Sequence, residues 1–452
     1  MSTTAVMWFR RDLRLADNPA LLDACHGDGV LPLFVLDPAL WGPAGISRQA
    51  YLAGSLRALD ASLRQRRTGL CVVRGNPVRQ VLMAAKAVGA SRVHVAADYG
   101  PYGHQRDLEV EKALADAGVE LVRTGSPYAV APDRVKNGSG LPYKVYTPFS
   151  RAWLEHGWRG PVDAPTGATW LTLDDTVEIP DPQVPSGLEL PEAGEAEARK
   201  RWQAYVEDHL TDYDDERDRP DLDTTSRMSR HLKWGEIHPR TMLADLQGRT
   251  GKGAVAYRRE LAFREFYADV LFANPTSARD YLRPEFARMP YDEPGDQLDA
   301  WKEGRTGFPI VDAGMRQLRA TGWMHNRVRM IVASFLVKDL HVEWQHGARH
   351  FMHWLVDGDL ASNQHGWQWV AGCGTDAAPY FRVFNPTTQG AKFDPDGSYV
   401  RRWVPELADV ATKHVHEPST SPDGVPDGYP EPIVDHKAER VEALQRYERI
   451  RA

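Results

Sequence analysis

Between Thr306 and Pro386, five tryptophans (Trp323, Trp344, Trp354, Trp367 and Trp369) sit among carboxylates, arginines and amides. They fall in the segments TGWMHNRVRM, HVEWQHGARHFMHW and DGDLASNQHGWQW, with GTDAAPYFRVFNP following. An indole packed for bulk wants apolar neighbours. Indoles set among charges instead suggest stacking against a flat ligand or passage of single electrons beside a polar group. Within the same stretch, Asp357, Gly358, Asp359 and Asn363 bring two carboxylates and an amide together. Such a set suits a ribose or a flavin edge, and equally a helix N-terminus. The spacing of a calcium loop is missing.

Two further constellations lie upstream. A helix over 254–272 puts Tyr257, Glu260, Arg264 and Tyr267 at i, i+3, i+7 and i+10 on one face, with Phe263 beside them. A buried face should be apolar and a solvated one does not spend this many rings, so the pattern suits a polar pocket with stacking walls. Thr225, Ser226, Arg227, Met228 and Ser229 offer hydroxyls, a guanidinium and backbone N–H groups at a helix start. That arrangement suits a diphosphate or an ordinary N-cap. Gly251-x-Gly253-x-x-Ala256 follows a helical stretch, whereas a dinucleotide loop requires a strand there. His346, His350 and His353 lack a carboxylate on their face, and Cys25, Cys71 and Cys373 lie far apart, so neither a metal site nor a disulfide framework is expected.

The elements that must position these groups change character along the chain. VMWFR, VLPLFVLD, LCVVRG, SRVHVAAD and VELVRTG read as strands alternating with amphipathic helices, which predicts a Rossmann-like, doubly wound parallel sheet. Ligands bind such sheets at the carboxyl ends of strands, which makes Leu36, Asp37, Pro38, Asp98 and Tyr99 candidates. Residues 160–196 are rich in Pro, Gly, Asp and Glu and read as a surface linker. From about 197 onward the pattern is helical with aromatic punctuation. The net charge of −7 conceals an uneven distribution: residues 172–223 hold 17 acidic against 5 basic side chains, so the remainder is net positive. Arg316, Arg319, Arg327, Arg329 and Lys338 face only Asp312 and Asp339 over 311–341, forming either a basic face for nucleic acid or a solvated helix surface. No apolar run long enough to span a bilayer and no signal-peptide pattern occurs, so the expectation is a cytoplasmic protein with no membrane partner.

The ordered set TSRMS, RELAFREFY, TGWMHNRVRM, DGDLASNQHGWQW and DAAPYFRVFNP resembles the photolyase/cryptochrome family, specifically its class I branch acting on cyclobutane pyrimidine dimers. The match runs from WFRRDLRLADNPAL to GSYVRRW. The resemblance implies an α/β antenna-binding domain at 1–127, an interdomain linker at 128–199 and an all-helical FAD-binding catalytic domain at 200–452. It also implies a monomer that repairs pyrimidine dimers in single- or double-stranded DNA, drawing its electron from light-excited reduced FAD. The alternative within the family is a cryptochrome-type photoreceptor signalling to protein partners.

Carried over by the resemblance, the flavin contacts are Tyr213, Thr225 to Ser229, Tyr257, Arg264, Asn326, Arg329, Asp357, Gly358, Asp359 and Asn363. Asp357 is expected to pair with Arg329, leaving Asp359 for the flavin edge, and the neutral amide of Asn363 suits an anionic reduced ring. The lesion pocket maps to Arg217, Glu260, Phe263, Arg264, Tyr267, Asn326, Arg327, Met330 and Trp369, and base flipping into such a pocket is a general property of photolyases. Phe263 replaces the family's usual tryptophan. Trp367 and Trp344 match the inner and middle members of a photoreduction relay whose outer position falls on Tyr291; with Glu260 and Asn363 they form the catalytic set. Trp323 and Trp354 are assigned to the core. GPYGHQRD resembles the branch whose antenna is 8-hydroxy-5-deazaflavin, methenyltetrahydrofolate being the alternative. Leu36, Asp37, Pro38, Arg48, Asp98, Tyr102 and Lys233 are the candidate antenna contacts.

Overall fold

The computed structural model describes residues 4–375 and 381–451, so positions 376–380 of the GTDAAPYFRVFNP motif lie outside the described residues. The chain divides into two compact units, one comprising Met1–Val184, Pro191–Thr211 and Ser226–Pro275, the other Pro185–Leu190, Asp212–Thr225 and Thr276–Ala452.

The first unit is organised by five parallel strands, β1 (Ala5–Phe9), β2 (Val30–Leu36), β3 (Cys71–Arg74), β4 (Arg92–Val95) and β5 (Glu120–Arg123), in the order β3-β2-β1-β4-β5. Helices α1 (Ile46–Arg64), α2 (Pro77–Ala87) and α3 (Pro101–Ala115) make crossovers between them. Every residue of β1 and β2 is buried, as expected where a parallel sheet is covered on both faces. Side chains alternate across a strand, so Val6 and Trp8 feed one core while Ala5, Met7 and Phe9 feed the other.

Pro32 sits inside β2, where a missing N–H normally breaks a ladder. Here β3 begins pairing only at Leu33, while Val30 donates to Thr169 O at 2.8 Å on that same edge. Residues two apart in a strand point their N–H groups the same way, so the proline nitrogen falls in the gap between those two pairings.

Two helices of this unit carry candidate residues, α4 (Ser229–Trp234) and α5 (Lys252–Ala273). Gly253 allows α5 to start against the chain before it: a Cβ there would lie 1.8 Å from Leu210 O. Further along, the buried Glu265 accepts from Val130 N–H (2.9 Å), Ala129 N–H (2.5 Å) and Trp153 Nε1–H (2.6 Å), which ties the loop after β5 to α5.

The second unit is helical, with α6 (Pro309–Thr321), α7 (Asn326–Lys338), α8 (Trp344–Trp354) and α9 (Leu360–Ala371) around one aromatic core. Helix α7 is capped by His325, which accepts from Arg327 N–H at 3.2 Å; helix α9 is capped by Asp359, which accepts from Ser362 N–H at 3.1 Å. Of the five cations of 311–341, Arg319 is exposed over the Trp354 ring and the other four are engaged by partners. Arg316 pairs with Glu406, Arg327 with Asp218 and Arg329 with Asp357, while Lys338 is buried and donates to Arg382 O. Sequence spacing could not reveal this, because each partner is remote in the chain. Among the described residues, no helix is long and apolar enough to cross a membrane.

Candidate functional site

The two indoles singled out for electron passage are both buried in the second unit. Trp344 opens α8 with no exposed surface, and Trp367 in α9 is 3% exposed. Gly347 is what brings α9 so close. A Cβ at that position would stand 2.1 Å from Trp367 Cη2, so the indole lies directly on the α8 backbone. Trp344 is three residues earlier on the same helix, hence on the neighbouring part of that face. Neither Trp344 Nε1 nor Trp367 Nε1 has a hydrogen-bond acceptor among the described residues.

Outward from Trp344 the order of rings differs from the expected one. Tyr291 makes no ring contact with Trp344 among the described residues. Instead Tyr281 meets Trp344 edge-on at 6.2 Å, and Tyr291 stacks on Tyr281 at 6.4 Å. Trp301 is a second addition, 6.1 Å from Trp367 with its Nε1 donating to Val332 O. Trp323 is buried as expected; Trp354 is half-buried beneath the Arg319 guanidinium.

The polar residues around this core are held in defined states. Arg329 pairs with Asp357 at 2.9 Å, as expected, and also donates to Met324 O. Asp357 is 5% exposed and Gly358 is buried beside it. Asp359 spends one oxygen on capping α9, so the helix-start reading of the DGD segment is met by this residue. The Asn363 amide donates to Ala348 O (3.2 Å) and Gln364 Oε1 (2.8 Å), which leaves its carbonyl oxygen as the polar atom it can offer a ring N–H. The Thr225 hydroxyl is buried and has no partner among the described residues, a state that costs free energy unless a ligand supplies one. Tyr213 lies under the Arg217 guanidinium at 5.9 Å. Asn326 is exposed at the start of α7, with Met330 half-buried one turn on. Arg327 is shared between Asp218 and the Phe393 ring, and Arg382 covers Trp369 at 5.5 Å.

In the first unit, Arg227 holds φ at 52°, the left-handed region that non-glycine residues seldom occupy, just before α4. Met228 is the N-cap residue of α4 and Ser229 its first residue, with no side-chain cap among the described residues. Ser226 Oγ accepts from Met228 N–H at 3.4 Å and also bonds the Tyr257 hydroxyl at 2.8 Å. Burial raises the Tyr257 phenol above its usual range. On α5, Arg264 donates to Pro127 O and Leu232 O and lies over Tyr128, which commits most of its guanidinium to the protein. Phe263 already has one face covered by Tyr146, at 3.4 Å and nearly parallel, so it can serve a ligand with one face only. Tyr267 tilts against Phe263 at 6.1 Å, and Glu260 is half-buried on the same helix.

A small cleft lies where the strand order reverses, between the carboxyl ends of β1 and β4. Arg10, Arg11, Asp12, Ala96, Ala97, Asp98 and Pro127 line it. Burial pushes the Asp98 carboxyl up, but Arg106, Arg10 and Arg11 outweigh this and hold it below the usual carboxylate range. Gly103 admits that carboxylate, since a Cβ there would stand 2.1 Å from Asp98 Oδ2. Nearby in the fold, Asp37 caps Pro38–Trp41 after Leu36 and accepts from the Tyr102 hydroxyl. Arg48 Nε is buried without an acceptor among the described residues, and burial lowers the pKa of its guanidinium. Lys233 lies against Trp234, and its carbonyl accepts from Arg11 Nε.

Comparison with known proteins gives this geometry a family. A model of the DNA photolyase domain matches residues 5–167, and one of the FAD binding domain of DNA photolyase matches 257–449. A deoxyribodipyrimidine photo-lyase of Streptomyces griseus is 42% identical over 99% of both chains. The chain belongs to the DNA photolyase family. Among solved structures, a class III photolyase from Agrobacterium tumefaciens superposes with a TM-score of 0.94 at 37% identity, covering 100% of this chain and 98% of that one. An archaeal photolyase from Sulfolobus tokodaii, solved with two FAD molecules, gives 0.88 at 31% identity over 98% of this chain and 99% of that one.

Sequence reasoning missed Gly347, Tyr281 and Trp301. A glycine inside an amphipathic helix was the available signal for Gly347, because it costs helix stability unless something packs on it. Nothing in DYLRP or LDAWKEG distinguishes Tyr281 or Trp301 from ordinary core.

Proposed function

We propose that the chain repairs cyclobutane pyrimidine dimers in DNA as a light-driven carbon–carbon lyase and acts as a monomer. The observation that carries this reading is the full-length match to a deoxyribodipyrimidine photo-lyase. Buried indoles beside a conditioned polar turn are what such chemistry needs. FAD, when bound, reduced and excited, supplies one electron to the dimer and takes it back once the ring has split.

The Thr225 hydroxyl, buried without a partner among the described residues, and the presented carbonyl of Asn363 fit that group. In the second unit Tyr213, Thr225, Asn326, Arg329, Asp357, Gly358, Asp359 and Asn363 would hold it. Ser226 to Ser229 and Tyr257 are the first-unit candidates, with Ser226 fixed by Tyr257. Arg264 positions the chain through Pro127 O and Leu232 O. For the lesion, the first-unit candidates are Glu260, which would hydrogen-bond a pyrimidine edge, the open face of Phe263 as stacking surface, and Tyr267. The second-unit candidates are Trp369 as stacking surface, with Arg217, Asn326, Arg327 and Met330. For the antenna we propose 8-hydroxy-5-deazaflavin, on the resemblance of GPYGHQRD to that branch, with Leu36, Asp37, Pro38, Arg48, Asp98, Tyr102 and Lys233 as its candidate contacts.

Two measurements test this. Blue light should remove dimers from a dimer-containing oligonucleotide in the presence of the reduced holoprotein, with Glu260→Ala losing lesion affinity but retaining flavin. Dimers left intact would overturn the proposal. An absorption spectrum with a violet-blue band beside the flavin bands identifies the deazaflavin, and a near-ultraviolet maximum would instead mean a folate.

A further inference from the structure

Trp344 has beside it an oxidisable ring that can release a proton, Tyr281. The Tyr281 hydroxyl donates to Glu343 Oε1 at 2.7 Å, and Glu343 is the residue immediately before Trp344. Tyr281 is 7% exposed and its ring meets the Trp344 ring at 6.2 Å and 81°. The indole N–H of Trp344, by contrast, faces no acceptor among the described residues, so an oxidised Trp344 keeps its proton and stays a strong oxidant. Burial raises the Tyr281 phenol well above its usual range, so it does not ionise beforehand. Its proton has to leave together with its electron, and Glu343 is the acceptor in place.

Resting on the photoreduction relay that the family resemblance implies for Trp367 and Trp344, we infer that Tyr281 and Glu343 form its proton-coupled exit. After Trp344 has passed an electron inward to Trp367, Tyr281 gives one electron to Trp344 and its phenolic proton to Glu343 Oε1. Trp344 is then a neutral, closed-shell indole, Tyr281 a neutral phenoxyl radical and Glu343 a carboxylic acid. A thiolate in solution returns the electron, with Tyr291 stacked on Tyr281 as the route inward, and leaves as a thiyl radical. Glu343 hands the proton back, which restores both side chains. Moving the proton a single hydrogen-bond length traps the charge separation, because return of the electron then also requires return of the proton.

The experiment is transient absorption and electron paramagnetic resonance on flash-excited, oxidised holoprotein with a thiol reductant, comparing wild type, Tyr281→Phe, Tyr291→Phe, Glu343→Gln and Trp344→Phe. Flavin content and thermal melting verify that each variant folds. Expected are a phenoxyl signal in wild type and in Tyr291→Phe, its loss in Tyr281→Phe, and a solvent deuterium isotope effect on its formation that disappears in Glu343→Gln. If Tyr281→Phe retains the phenoxyl signal, or forms photoreduced flavin at the wild-type rate while Trp344→Phe does not, the inference is overturned and the relay stands with another exit. If Trp344→Phe also photoreduces normally, the relay itself is wrong and the inference falls with it.

Discussion

Replacing Gly347 by alanine places a methyl group where Trp367 now lies. The new Cβ would stand 2.1 Å from Trp367 Cη2, 2.5 Å from Cζ3 and 2.6 Å from Leu336 Cδ2, and both side chains are buried. Carbon atoms do not approach below about 3.5 Å without repulsion, so the indole or α8 has to move. Overpacking of this kind costs about 1–3 kcal/mol. The same substitution removes a glycine from a helix, which returns about 0.5–1 kcal/mol. Gly366, in α9, separates the two effects: a Cβ there meets nothing within 4 Å, so Gly366→Ala should gain the helix term alone. Denaturant titrations of both variants therefore give the steric cost as their difference, expected at about 1–3 kcal/mol with Gly347→Ala the less stable. If Gly347→Ala proved as stable as Gly366→Ala, Trp367 would not rest on α8, and the account of how the two indoles are brought together would fail.

Other consequences are as direct. Asp357→Ala should lower stability by about 2 kcal/mol in flavin-free protein, because Arg329 loses its charged partner, and denaturant titration of the apoprotein checks this apart from any flavin effect. Asp269 is buried on α5, and burial raises its carboxyl to about 6 from an ordinary 3.8. The folded state thus holds its proton more tightly than the unfolded state, so this group's stabilisation is full below about pH 4 and is lost as pH rises through about 6. Asp269→Asn retains an acceptor for the Asp133 N–H and does not titrate, so its stability relative to wild type should rise by about 2 kcal/mol from pH 4 to pH 7; a flat difference would contradict the assignment. Gly103→Ala should push Asp98 off Arg106 and remove the antenna absorption band while the flavin bands persist.

The five strands, the sheet's parallel winding and the helix carrying Tyr257, Glu260 and Arg264 were legible because each depends on local periodicity and on burial of continuous apolar runs. The Arg329–Asp357 pair was legible through the family resemblance, since the two lie on separate elements. By itself the sequence also marked Trp344, Trp367 and Asn363, whose residue types and neighbours are unusual for a core. Tertiary structure alone decided what those groups can do. Phe263 has one face covered by Tyr146, Arg327 is committed to Asp218, and Tyr281 stands between Trp344 and Tyr291. Each depends on side chains far apart in the chain meeting within a few ångströms. Periodicity cannot encode such meetings, because it records which face a residue occupies and not which partner that face will find.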